Sequence, residues 1–345
     1  MKKIFAVVLL VVLMASLFTG CSNSDQVVLN VYNWGDYIDE DIFQQFEEET
    51  GIKINYETYA TNEEMYTKIN KGGTQYDIAI PSEYMIEKMI KEDLLEPIDL
   101  TKIPNYANID DQFKNLSFDP NNQYSVPYFW GTVGIIYNTN LIDGPIDSWD
   151  VLWDEQYARQ FTMVDSQRDS IMVALKKLGY SMNTKNLDEL EEAKQALIEQ
   201  KPLVLAYVGD NVKDMLISEE ASMAVVWSGE ASAVIQEYDY FEYALPKEGS
   251  NMWFDNIVIP KGAKNIDAAH QFIDFLSRGD IGFLNADYVG YATCNIETMK
   301  LIDPALIGTT YAYPDKNLLE NFEIFQDPGD FIVEYDRIWT ELKAK

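Results

Sequence analysis

Three strand-then-helix units follow one another over residues 26–91, and no other feature of the chain narrows its fold as far. Residues 26–32 alternate in polarity as a strand does, and Asn33-Trp34-Gly35-Asp36-Tyr37 breaks the pattern. A helical pattern follows over 41–49, with Ile42, Phe43 and Phe46 on one face and Gly51 just past its end. A second strand over 53–59 leads to a helix over 62–70 that stops at Gly72-Gly73. A third strand over 77–80 is broken by Pro81-Ser82, and 83–91 is helical. Parallel strands need such crossovers, so the succession predicts an α/β fold built on a parallel sheet. Ligands of such sheets bind outside the carboxyl ends of the strands, which directs attention to the segments that break each strand.

Beyond residue 91 the signal is weaker. A loop over 118–123 leads through 124–131 into a strand over 132–137, where a first lobe hands over to a second. Residues 148–153 read as a helix start, 162–164 as a short strand, and 170–177 as a helix closed by Gly179. Residues 187–200 form a charged amphipathic helix, with strands at 203–208 and 223–227 and a helix at 266–276. From residue 301 the pattern is helix and loop, with a terminal helix over 335–343. A chain of 345 residues, 47% of them apolar, can fill two cores.

The first residues read as an export signal, not a domain. Met1-Lys2-Lys3 precedes an apolar run over 4–17 and the segment Phe18-Thr19-Gly20-Cys21. That run is shorter than the ~20 residues that span a bilayer. Cys21 after two small residues resembles the lipid-modified cysteine of bacterial lipoproteins. Residues 1–20 are therefore expected to be removed, with Cys21 as the lipid attachment site and 21–26 a polar tether on the outer face of the cell membrane. Removal takes Lys2 and Lys3 and moves the formal charge from -31 to -33. Such a chain repels nucleic acid and draws small cations. Cys294 is left without a partner, so no internal disulfide is expected.

No phosphate-binding glycine loop, dinucleotide fingerprint or repeat occurs. The single histidine, His270, sits in a helix beside Ala268, Ala269 and Phe272, which reads as packing. Neither a serine triad nor a histidine metal site is expected, nor any cofactor. What recurs is a ring beside an acid or hydroxyl at strand ends: Trp34 with Asp36 and Tyr37, Ser82 with Tyr84, Asp165 with Asp169, Trp227 with Glu230, and Trp253 with Asp255. Tyr291 and Gln326 join them later in the chain. Ile257 to Ile259, closed by Pro260, read as a buried strand with Asp255 at its mouth. An ionised carboxylate there requires a protein partner or an outside cation, because burying it alone costs several kcal/mol. These segments should converge on one cleft between two lobes.

Seven stretches, Val31-Tyr32-Asn33-Trp34, Thr50-Gly51-Ile52-Lys53, Asp119-Pro120-Asn121-Asn122, Pro127-Tyr128, Lys176-Lys177-Leu178-Gly179-Tyr180, Pro246-Lys247-Glu248-Gly249 and Gly290-Tyr291, resemble the bacterial spermidine/putrescine-binding proteins of polyamine ABC transporters. The resemblance covers essentially the whole mature chain. It implies a two-lobe, type II periplasmic-binding-protein fold with a ligand cleft between the lobes, one of residues 27–132 plus 255–299 and the other of 134–253 plus 303–345. It implies a monomer that binds spermidine or putrescine and delivers it to a membrane permease and its ATPase. By position, ligand contacts carry over onto Trp34, Asp36, Tyr37, Ser82, Tyr84, Asp169, Trp227, Trp253, Asp255, Tyr291 and Gln326. Asp255 and Asp169 are expected to take ammonium groups at the middle and one end, with Asp36, Ser82 and Tyr84 at the other. Departures cluster at one ammonium end: Ser166 and Gly209 replace contact side chains, Asp169 is shorter than the usual Glu, and Glu230 is a candidate extra acid. They leave the choice between the two amines open. The rival readings are a solute-binding protein for a sugar or ferric ion and, from another class, an exported glycoside hydrolase using two of these acids.

Overall fold

One strand of fourteen residues, Ser125–Asn138, is buried from end to end and has partners along both edges. The computed structural model describes residues 26–209 and 211–345. The segments expected to form the export signal, the lipid attachment site Cys21 and the tether up to residue 25 lie outside the described residues.

The strands are β1 (Val28–Trp34), β2 (Lys53–Tyr59), β3 (Ile78–Ala79), β4 (Ser125–Asn138), β5 (Phe161–Val164), β6 (Val204–Val208), β7 (Met223–Trp227), β8 (Phe241–Ala244), β9 (Met252–Val258) and β10 (Ala292–Thr293). The α-helices are α1 (Asp41–Thr50), α2 (Asn62–Lys71), α3 (Glu83–Lys91), α4 (Gln167–Lys177), α5 (Leu187–Gln200), α6 (Val212–Ile217), α7 (Ser228–Glu237), α8 (Ile266–Leu276), α9 (Gly279–Val289), α10 (Ile296–Met299) and α11 (Ile332–Ala344). The early units start and stop where their local chemistry requires. The Thr61 hydroxyl accepts the Glu64 N–H at the start of α2, and Gly51, at φ 76°, closes α1 in a left-handed turn that a side chain would strain.

The sheet order is β2-β1-β3-β9-β4-β7-β5-β6, with β8 and β10 also on β4. Pairing is parallel at both ends, β1 with β2 and β3, and β5 with β6 and β7. The parallel expectation therefore holds at the flanks and fails in the centre, where β9 runs antiparallel to β3 and β4, and β4 antiparallel to β7 and β8. The first half of β4 lies between β9 and β10 and its second half between β7 and β8, so this strand passes from one half of the molecule into the other. Register slips between Pro127 and Phe129, where a proline without an N–H interrupts the ladder. The Tyr128 hydroxyl there donates to the Tyr37 carbonyl.

The largest apolar cluster fills the first half and continues into the second. The terminal helix α11 seals a separate cluster: Tyr335, Ile338 and Leu342 pack on Ile171 and Leu175 of α4 and Leu190 and Leu197 of α5. Burying each such side chain stabilises by ~1.5–3 kcal/mol. His270 is a packing residue, its Nε2 accepting the Asp99 N–H and its Nδ1 facing the Ile266 carbonyl. Cys294 is buried and free. No helix among the described residues is long and apolar enough to cross a membrane.

Candidate functional site

The carboxyl ends of β1, β3, β5 and β7 and the face of β9 meet around a cavity of about 540 Å³. Eight acids line it, Asp36, Glu63, Glu83, Asp165, Asp169, Glu230, Asp255 and Asp336, against two cations, Arg168 and Lys343. Between the acids stand the rings of Trp34, Tyr37, Tyr84, Trp227, Trp253, Tyr291, Phe325 and Trp339. The size suits a small molecule, and the charge balance selects a cation.

Asp255 is the fourth residue of β9 and 5% exposed, so it lies within the strand and not at its mouth. Strand alternation puts it on the same face as Trp253, two residues before it. Its Oδ2 accepts the Tyr37 hydroxyl at 2.7 Å, while Oδ1 is buried without a hydrogen-bond partner. Burial pushes its pKa up to about 7, although the nearby Ser82 and Tyr37 hydroxyls favour the anion; the charge of Asp169 adds to the rise. A carboxylate so placed gains most from a cation brought in from outside.

The ring walls are held by close backbone approach. A Cβ on Gly131 of β4 would fall 2.4 Å from the Trp253 indole, so only glycine lets that ring lie against the strand. Trp253 meets Tyr291 edge-on, with centroids 5.0 Å apart, and Tyr291 meets Tyr37 in the same way at 5.3 Å. Gly229, in the first turn of α7, lies flush against the Tyr291 ring; a Cβ there would sit 2.4 Å from it. Trp34 is oriented by its Nε1, which donates to the Ile80 carbonyl at 2.8 Å.

Asp169 occupies the first turn of α4, where the helix dipole favours an anion. Ser166 caps that helix by accepting the Asp169 N–H and donates its own hydroxyl to Asp169 Oδ2 at 2.7 Å. Asn251 Nδ2 donates to the other oxygen at 3.3 Å. Burial still raises the Asp169 pKa, against Ser166, Asn251, Arg168 and Trp227. Arg168, 3% exposed, stacks its guanidinium over Tyr84, Phe325 and Tyr335 at 5.3, 4.4 and 4.9 Å. Asn62 Nδ2 donates to Ser82 Oγ at 3.1 Å and to the Tyr84 hydroxyl at 3.0 Å, and that hydroxyl donates to Glu63.

Several contacts cross from one half to the other. Lys213 Nζ pairs with Asp36 Oδ2 at 2.8 Å, the Tyr291 hydroxyl donates to Glu230 Oε2 at 2.6 Å, and Lys91 pairs with Asp327 at 2.9 Å. Lys343 of α11 pairs with Asp165 at 2.7 Å.

Of the residues singled out from the sequence, Trp34, Asp36, Tyr37, Ser82, Tyr84, Asp169, Trp227, Trp253, Asp255 and Tyr291 line this one cavity, as does Glu230. Gln326 is not among the lining residues; its carbonyl faces the Arg168 guanidinium and its neighbour Phe325 supplies the wall. Sequence reasoning missed Glu63, Glu83, Asn62, Arg168, Asn251 and the α11 face of Asp336, Trp339 and Lys343. Glu83 stands between two residues that were singled out, and the α11 residues recur at helical spacing, a signal that was readable. Among the described residues no group of three or more His, Cys, Asp or Glu side chains is disposed to hold a metal ion.

The profile of one protein family, the bacterial extracellular solute-binding proteins, matches residues 41–296. The chain is 39% identical over 324 residues to the spermidine/putrescine-binding periplasmic protein of Salmonella typhimurium, covering 93% of each. Among solved structures it is similar to a putative spermidine/putrescine ABC transporter from Listeria monocytogenes, with a TM-score of 0.89, 44% identity and 92% and 98% of the two chains covered. A lipoprotein of Treponema pallidum superposes with a TM-score of 0.84 at 29% identity, covering 92% of this chain and all of that one.

Proposed function

Because the chain belongs to the bacterial extracellular solute-binding proteins and has their type II, two-lobed α/β fold, we propose that it captures a linear polyamine, spermidine or putrescine, and hands it to an ABC permease. It is a binding protein and not an enzyme, as its relatives are. The observation that carries the ligand class is Asp255, with one oxygen held by Tyr37 and the other bare in a cavity rich in acids and walled by indoles. A polyamine is a row of methylenes with ammonium groups at fixed spacing, so it needs acids at intervals and flat apolar faces between them. Each methylene buried against Trp34, Trp227 or Trp253 contributes ~0.8 kcal/mol, and each ammonium over a ring ~0.5–2 kcal/mol. A neutral sugar would leave these carboxylates without counter-charge.

In this reading residues 27–132 with 255–299 and residues 134–253 with 303–345 are two lobes that close over the amine, the crossing segments of β4 and β9 acting as the hinge. The Asp36–Lys213, Glu230–Tyr291 and Asp327–Lys91 contacts favour the closed arrangement. Removal of residues 1–20 and lipidation of Cys21 would keep the protein at the outer face of the membrane. The reading is tested by melting the protein with added solutes. Spermidine or putrescine raises the melting temperature by ligand linkage, whereas maltose and ferric citrate leave it unchanged; no shift with either amine at millimolar concentration overturns the ligand class.

A further inference from the structure

Glu83 is the first residue of α3 and has no exposed surface, yet it lines the cavity. An isolated antiparallel bridge between Ser82 and Asp255, together with the Asn256 N–H donating to the Pro81 carbonyl, docks the start of α3 against β9. That docking directs the Glu83 carboxyl at the strand: Oε2 accepts the Phe254 N–H at 2.8 Å, and Oε1 is buried without a hydrogen-bond partner. Asp255, the next residue of β9, is built the same way, one oxygen held and one bare. A helix N-terminus and a backbone N–H prepare the Glu83 oxygen for negative charge.

We propose, on the reading that the ligand is a polyamine, that Glu83 is a second ammonium-binding carboxyl beside Asp255, protonated in the empty cleft and ionised when the amine arrives. The acid loses its O–H proton to solvent as the carboxylate pairs with the ammonium, whose own protons stay in place, so capture releases H⁺. The groups acting on Glu83 from neighbouring elements are the acids Asp255 on β9 and Asp169 on α4, which oppose its ionisation. Arg168, over the Tyr84 ring, favours the ionised form of Asp169, and the Tyr37 hydroxyl is committed to Asp255. Burial and the Asp255 charge, against the Phe254 N–H, push the Glu83 pKa up to about 8, in keeping with an acid that holds its proton near neutral pH until a cation displaces it.

The test is calorimetric titration of the mature protein with spermidine and with putrescine near pH 7, in phosphate and in Tris, whose ionisation heats differ. The expected result is net proton release by the parent, falling by at least half in Glu83→Gln, with roughly tenfold or greater loss of affinity. Glu83→Asp keeps the charge and should retain the release. Glu83→Gln should melt at or above the parent without ligand, because a buried acid has been removed. Binding by the parent with unchanged proton count and affinity in Glu83→Gln overturns the role of Glu83 and leaves the polyamine reading standing. Failure of the parent to bind either amine overturns both.

Discussion

Lys213 Nζ lies 2.8 Å from Asp36 Oδ2, so one of the acids that the family resemblance assigns to ligand is matched with an ammonium of the protein's own. The pair joins the loop after β1 to α6 across the two halves, and Asp36 is half-exposed. Exposed pairs of this kind contribute ~0–1 kcal/mol. Asp36→Asn should therefore weaken polyamine binding by no more than about fivefold, far less than loss of a fully buried acid. Calorimetry of the variant beside the parent checks this; a loss of a hundredfold or more would place an ammonium of the ligand directly on Asp36.

The buried acids also make opposite predictions for the empty and filled protein as pH changes. Burial raises Asp255 to about 7 and Glu83 to about 8, from ordinary carboxyl values of about 4. Between those limits the folded state holds more protons than the unfolded one, so unfolding free energy falls as pH rises through the window. Ligand-free protein should melt lower at pH 8 than at pH 5, less steeply in Glu83→Gln. Saturating spermidine should reduce or reverse the fall, because the ionised acids are then paired. Melting curves at both pH values decide it; equal slopes with and without amine would contradict the assignment.

A third prediction concerns closure. Gly229 belongs to the half that carries α7 and Tyr291 to the half that carries β10, and a Cβ on Gly229 would fall 2.4 Å from the Tyr291 ring. Gly229→Ala should hold the halves apart and weaken amine binding about tenfold or more. The ligand-free melting temperature should change little, since alanine favours a helix by up to ~1 kcal/mol over glycine. Parallel losses of stability and affinity would mean that the contact is ordinary packing.

Much of the fold was legible because periodicity is a local signal. The units from β1 to α3 lie within a residue or two of their sequence boundaries, since strand alternation and glycine stops sit in short windows. β4 was only half legible: Pro127 and the aromatic run around it read as a lead-in, but long-range pairing with β9 absorbs the proline as a register slip. Helix α9 begins with Gly-Asp, which local propensity reads as loop, and it was missed. In the site, rings and acids after strands could be read because strand ends converge. Glu83 and Arg168 escaped notice because each lies at a helix start, where an acid reads as a dipole partner and a base as surface. Only the docking of α3 on β9, and of Arg168 on three rings, shows otherwise.

Asp255 is the proposed buried counter-charge of the ligand, and calorimetric titration of parent and Asp255→Asn with spermidine and putrescine measures that role directly. Leaving an ammonium in a closed cleft without its carboxylate costs ~2–5 kcal/mol. The expected result is saturable binding of one amine per parent chain and a loss of at least about thirtyfold in Asp255→Asn. Affinities within about threefold of each other would contradict the account.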